Sequence, residues 1–305
     1  PNKGNVIFNN GYETDFFSGS PNTGPWNGCG VVMRLGASFC TVQGNFIGTN
    51  YAQDSIAGNE YCGVIVQSNC QGNLIGGDGV GAGNVIAYNE LAVRISNTSA
   101  FCQIQQNSMY CNEEGIILWG NGNQFQAAPT VDSVSVDILL GRGIPGDFIE
   151  VFINDTTACA SVDCQGKTFL GTVVVDADSL WNLSAPYPSG ENVYGGTIFI
   201  ATATDSLRNT SPFSNCLSVP ITCNTFVINI ENVQNATCGL MNGSFEVVAN
   251  GGFEPYIFDF GNGATSESVL DTLAAGRYDV TVTDDSGCMK MDSIEILEIN
   301  ATILS

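Results

Sequence analysis

Short apolar runs recur along the first third of the chain: Val31-Val32-Met33-Arg34-Leu35, Val64-Ile65-Val66, Leu91-Ala92-Val93-Arg94-Ile95 and Ile116-Ile117-Leu118. Polar corners separate them. One corner motif appears four times, as Gly4-Asn5-Val6-Ile7, Gly44-Asn45-Phe46-Ile47, Gly72-Asn73-Leu74-Ile75 and Gly83-Asn84-Val85-Ile86. Short strands broken by Gly-Asn corners predict a solenoid, in which no rung buries its own apolar face and the rungs must stack. Stacked asparagines at equivalent corners are expected to form a hydrogen-bonded ladder that satisfies turn backbone groups.

The pattern changes near Ala127-Ala128-Pro129. Longer strands follow: Phe148 to Ile153, Thr168 to Val175, Trp181-Asn182-Leu183 and Ile198 to Asp205. Strands at this spacing predict an antiparallel sandwich, with Trp181 in its core. From about residue 223 a third segment shows the alternation Tyr278-x-Val280-x-Val282, a half-buried strand, followed by Asp284-Asp285-Ser286-Gly287. The expected division is 1–125, 126–222 and 223–298, with 299–305 opening a further repeat or forming a tail. Asn2 to Asn10 already reads as a corner, so more chain or a stacked neighbour is expected before it.

Composition narrows the function. Lys plus Arg number 8 against 30 Asp plus Glu, a net charge of −22. Such a chain repels nucleic acid and anionic membrane surfaces. There are no histidines, which removes the usual general base and the commonest metal ligand. Twelve cysteines without histidine or a tight C-x-x-C pair indicate disulfides and an oxidising compartment.

In stacked rungs, equivalent positions lie about 4.8 Å apart, within the Cα separation of about 4.4–6.8 Å that a disulfide spans. Aligning the motifs pairs Cys29 with Cys62 and Cys40 with Cys70, leaving Cys102 with Cys111. Cys159, Cys164, Cys216 and Cys223 allow three pairings, of which Cys159–Cys216 with Cys164–Cys223 is favoured.

Several runs carry resemblances. Gly44 to Thr49, Asn59 to Val66, Asn69 to Gly77 and Ala82 to Asn89 resemble right-handed parallel β-helix repeats of large bacterial surface proteins. Gly143-x-Pro145-Gly146, Phe169-Leu170-Gly171-Thr172 and Ala201-Thr202-Ala203-Thr204-Asp205 resemble a bacterial immunoglobulin-like module. Asn250 to Tyr256, Gly261 to Thr265 and Leu273 to Cys288 are similar to the SprB-type repeat of gliding-bacterium adhesins. That likeness implies a Cys238–Cys288 pair, a Bacteroidota source and type IX secretion. The fold class so implied is all-β: a right-handed parallel β-helix followed by two antiparallel Ig-like β-sandwiches.

Eight of the 17 aspartates precede Ser or Thr. Seven of these triplets resemble the O-glycosylation sequon of the same phylum and point to Ser55, Ser133, Thr156, Ser179, Ser206, Thr272 and Ser293. The alternative is that Asp-Ser/Thr suits β-turns.

Catalysis finds little support. The acids Glu13, Asp15, Asp54, Glu60, Asp78, Glu90, Glu113 and Glu114 read as corners and insertions without a repeated in-line pair. Arg34 and Arg94 read as equivalent positions facing one groove, and Asn50 to Gly58 as a contact loop. No cofactor is implied. Ca²⁺ at Asp284 and Asp285 is the alternative to an Asp turn. The expected role is a non-catalytic, extracellular adhesin segment: a rigid stalk presenting a binding surface. Its partners would be further domains or copies of the same protein and surface glycans. The rivals are a self-assembling filament subunit and a β-helix polysaccharide lyase or glycoside hydrolase.

Overall fold

The computed structural model describes residues 5–8, 28–154, 164–221, 223 and 225–299. Two compact units divide it: Pro1–Val193 with Thr197–Val219, and Tyr194–Gly196 with Pro220–Ser305. Every regular element among the described residues is a strand, apart from one 3₁₀ turn at Gly122–Phe125.

The first unit opens with strands β1 (Val6–Ile7), β2 (Val31–Met33), β3 (Thr41–Val42), β4 (Phe46–Ile47), β5 (Cys62–Gln67), β6 (Leu74–Gly76), β7 (Val85–Ala87), β8 (Leu91–Ser96), β9 (Gln103–Gln105), β10 (Ser108–Tyr110) and β11 (Glu114–Trp119). They form three parallel sheets, ordered β2-β5-β8-β11, β3-β6-β9 and β1-β4-β7-β10. From β2 onward the chain visits the sheets in fixed rotation, so each circuit adds one strand to each sheet.

Register stacks like on like. Ile7, Ile47, Ile86 and Met109 form one column. Met33, Val66, Ile95 and Leu118 form a second, and Val42, Ile75 and Ile104 a third. These columns meet in one core, where Ile47, Ile75, Ile86 and Ile95 are fully buried. Each such side chain stabilises the stack by about 1.5–3 kcal/mol.

The corners after the first sheet repeat a left-handed pair. Leu35-Gly36, Ser68-Asn69, Asn97-Thr98 and Gly120-Asn121 all have positive φ. Their amides donate to the following circuit, Gly36 N to Ser68 O at 3.0 Å and Asn69 N to Asn97 O at 3.2 Å. Asn and Gly adopt this conformation readily, whereas Leu35 and Thr98 carry a local cost that the stacked hydrogen bonds offset. Gly76 (φ 87°) is required for a second reason, because a Cβ there would overlap the Gln105 carbonyl of the next circuit.

The remainder of the first unit is an antiparallel sandwich of β12 (Thr130–Val134), β13 (Ile138–Arg142), β14 (Phe148–Asn154), β15 (Thr168–Val174), β16 (Leu180–Ser184), β17 (Ile198–Thr204) and β18 (Leu217–Ser218). Sheet β12-β13-β16 faces sheet β15-β14-β17-β18 across a shared core. Trp181 is buried there, its Nε1 donating to Arg142 O at 3.2 Å.

The second unit is another sandwich, built from β19 (Val227–Gln234), β20 (Ala236–Thr237), β21 (Gly243–Asn250), β22 (Ile257–Asp259), β23 (Ala264–Thr265), β24 (Val269–Leu273), β25 (Gly276–Thr283), β26 (Met289–Ile296) and β27 (Glu298–Ile299). Sheet β19-β21-β24 faces β23-β22-β25-β26, and β20 pairs with β27 in parallel. Phe226, Phe245, Val247, Val280, Val282 and Ile296 fill its core.

Candidate functional site

Asparagine amides run through the parallel stack in two columns, buried from Asn45 and Asn59 onward. In the first, the backbone N and Nδ2 of Asn5 both donate to Asn45 Oδ1. Asn45 does the same to Asn84 Oδ1 at 3.0 Å and 3.0 Å, and Asn84 to Asn107 Oδ1 at 3.0 Å and 2.8 Å. In the second, Asn59 donates to Asn89, and Asn89 to Asn112, in the same two-pronged way. The Nδ2 groups also reach back to strand carbonyls, Asn89 to Ala87 O and Ile47 O. From Asn45 and Asn59 onward, each prong closes a buried donor that would otherwise cost about 1–3 kcal/mol.

The four-fold corner motif therefore splits. Asn5, Asn45 and Asn84 share a ladder, but Asn73 lies at the corner before β6, in the β3-β6-β9 sheet, where its Oδ1 accepts from Cys40 N.

The second ladder ends on the neighbouring sandwich, which supplies the last circuit with the groups that a further circuit would offer. Asn112 N and Nδ2 donate to Gln165 Oε1 at 3.3 Å and 2.8 Å, and Gln165 Nε2 returns a bond to Asn112 O. Phe101 N donates to Asn209 Oδ1 at 2.7 Å, and Ile104 N to Thr210 Oγ1 at 2.9 Å. Met109 N donates to Gly166 O, and Gln106 N to Glu150 Oε2 at 3.0 Å. Phe213 packs against the stack's own core. Of the five acceptors that take these backbone amides, four are neutral and the fifth, Glu150, is a carboxyl. Glu150 is only 5% exposed. Burial pushes it up to about 7, against the pull of the Gln106 amide and with Asp78 adding repulsion.

Outside the first sheet, the Arg94 guanidinium lies between two rings, 5.7 Å from the centroid of Tyr61 and 5.5 Å from that of Trp119. It also hydrogen-bonds the Tyr61 hydroxyl. Arg94 Nε and Ser96 Oγ are buried without a hydrogen-bond partner. Trp119 is 61% exposed. Arg34 is not equivalent to Arg94: register aligns Arg94 with Ile65 and Ile117. Arg34 follows Met33, which lies level with Val66.

Acidic residues do recur in line, contrary to the expectation from sequence. Each second-ladder asparagine precedes a glutamate: Asn59-Glu60, Asn89-Glu90, Asn112-Glu113. Glu90 is raised by burial and by Glu113 and Glu114 beside it. The recurring Asn-Glu dipeptide was the available signal. Among the described residues no group of three or more Asp, Glu, Cys or His is arranged to hold a metal. The Asp284 carboxylate is already occupied, accepting from Phe253 N, Cys288 N and Ser286 Oγ. Burial alone would raise it, but these bonds hold it below the ordinary carboxylate value.

Cys29 is joined to Cys62 across neighbouring circuits, with a Cα separation of 4.4 Å. The other expected pairings differ. Cys40 and Cys70 are free, Cys102 is free and buried, and Cys111 is disulfide-bonded elsewhere. Register explains this: Thr41 lies over Leu74 and Leu74 over Gln103, so Cys40, Asn73 and Cys102 share a column. Cys70 sits three residues earlier, level with Ser99, whose Oγ accepts its amide. Burial pushes the Cys102 thiol up to about 11.

In the sandwiches Cys164 pairs with Cys216 and Cys223 with Cys288, replacing Cys164–Cys223, Cys159–Cys216 and Cys238–Cys288. Cys223 packs beside the buried Cys288, while Cys238 is free and exposed beside the β20–β27 pair. Cys159 and Thr156 lie outside the described residues. Ser133, Ser206 and Thr272 are exposed, and Ser55, Ser179 and Ser293 are half-buried. Ser133, Thr272 and Ser293 stand on strands.

No protein-family model matches the chain, and no curated protein sequence matches it. Among solved structures, murine CEACAM1b is similar over 56% of this chain and 100% of its own, at 13% identity and TM-score 0.30. A C-terminal 282-residue fragment of intimin, in complex with the intimin-binding domain of its translocated receptor, is similar over 56% of this chain. The match takes in 63% of that fragment, at 12% identity and TM-score 0.24. The BSP domain of a biofilm-associated protein matches 57% of this chain and 30% of its own, at 14% identity and TM-score 0.22. At TM-scores of 0.30 and below, none of these likenesses bears on what the chain binds.

Proposed function

We propose that this chain is a non-catalytic segment of an extracellular surface protein, a rigid stalk that presents a binding surface. The observation that carries the reading is the pair of asparagine ladders, one of which runs without interruption into the sandwich at Gln165. Such a network commits its side chains to bonding between circuits. The disulfides suit an oxidising compartment.

In this reading the three parallel sheets are the faces of a right-handed parallel β-helix, and the sandwiches are an immunoglobulin-like module and a SprB-type repeat. The presenting surface is the Arg94, Tyr61 and Trp119 cluster, where a cation and an exposed indole offer stacking to a glycan. O-glycosylation of the exposed Asp-Ser/Thr sites would add durability.

The test is binding of the whole chain to a glycan array, with Trp119→Ala as the control. Saturable binding lost in the variant supports the reading. Failure of both proteins to bind any glycan, together with regular filaments of one chain under the electron microscope, would replace it with the filament subunit.

A further inference from the structure

The seam between the parallel stack and its sandwich places one ionisable group where every other acceptor of a stack backbone amide is neutral. In an interior circuit the amide just before a ladder asparagine donates to a peptide carbonyl, as Gly44 N does to Ala82 O at 3.0 Å. Gln106 precedes the last asparagine of that ladder, Asn107, and its amide meets Glu150 Oε2 instead. Glu150 thus substitutes for the carbonyl of an absent circuit.

Its surroundings offer no compensating charge. On the flanking strands it lies level with Thr172 and Thr202. The charged group facing it from the stack is Asp78. Just before its own strand, Asp147 is buried, hydrogen-bonded by Gln126 and close to Asp205. No cation among the described residues forms an ion pair with Glu150. A neutral carboxyl can accept the Gln106 amide through its carbonyl oxygen. An ionised one accepts the same bond but leaves a desolvated charge beside Asp78.

We propose that this seam is a protonation-controlled joint, with Glu150 as its switch: tight when the carboxyl is neutral, weakened when it ionises. The sign follows from linkage. A carboxyl raised in the folded state holds a proton that the unfolded chain has already lost, so stability falls as pH rises between the ordinary carboxylate value and the raised one. With Glu150 at about 7 against an ordinary 4.5, the loss is complete above neutrality. The joint would therefore stiffen in acid and loosen in alkali.

Hydrogen exchange of the intact chain tests this at the seam peptide containing Phe101, Ile104, Gln106 and Asn112, with rates corrected for intrinsic pH dependence. Native protection should fall roughly thirtyfold between pH 5.5 and 8.5. Glu150→Gln keeps an acceptor and removes the charge, so its protection should be flat. Asp78→Asn, on an exposed loop, should move the midpoint to lower pH and serves if the first variant does not fold. A pH-independent native seam, a Glu150→Gln profile matching the native one, or an unmoved midpoint in Asp78→Asn would each overturn the proposal.

Discussion

The parallel stack and the C-terminal sandwich solve the same problem by different means. Both must hide short strands of modest hydrophobicity. The sandwich does so with two sheets pressed face to face and long antiparallel pairs such as β25 with β26, which run over eight residues. Most strands of the stack are two or three residues long and pair in parallel. Too short to hold register alone, they are locked by side chains at the corners. The sandwich depends on its core, while the stack depends on its corners as well.

The sharpest way to break this contrast is to cut a ladder. Asn89→Ala removes the acceptor for Asn59 N and Nδ2 and the donor to Ala87 O and Ile47 O. Several buried groups lose partners at once, so a destabilisation of about 3–5 kcal/mol is expected for the first unit. Local unfolding read by hydrogen exchange should rise there and stay unchanged in the second unit.

The disulfides come next. Cys29→Ser with Cys62→Ser should cost the stack about 2–4 kcal/mol, and Cys223→Ser with Cys288→Ser should cost the second unit a similar amount. Thermal melts of each double variant check both. Unequal losses would show which unit leans more on its covalent link.

The two units should also answer acid in opposite directions. Asp284 is held below its ordinary value, so its contribution is present above that value and disappears as acid protonates it. Protection of the turn from Asp284 to Cys288 should fall at low pH, where the Glu150 seam is tightest, and Asp284→Asn should abolish that response. The smallest effect is expected at Trp119, whose ring is mostly in water: Trp119→Ala should change stability by no more than about 1 kcal/mol.

Much of the fold was legible because its signals are local. The four apolar runs fall in the single sheet β2-β5-β8-β11, and the Tyr278 to Val282 alternation is a strand whose valines are buried. The ladder was readable as a recurring Gly-Asn step. Phase was not. Successive asparagines of the first ladder are 40, 39 and 23 residues apart, so spacing could not assign Asn73 to a different corner. The same blindness misplaced Cys40 over Cys70 and Arg34 beside Arg94. The seam was hidden for another reason: Gln165, Asn209 and Thr210 look like ordinary loop residues until the sandwich brings them to the stack.

Those unequal separations have a consequence for how such a molecule diversifies. The ladder registers how many times the chain has come round, and is indifferent to how far it wandered on the way. The excursions at 50–57 and 77–82 leave the column of amides undisturbed, and Ile56 and Val80 on them stand free in water. Insertions and deletions at these points can alter what the surface displays while the scaffold beneath keeps its bonding. A lineage can therefore rewrite its exterior quickly on a frame that changes slowly.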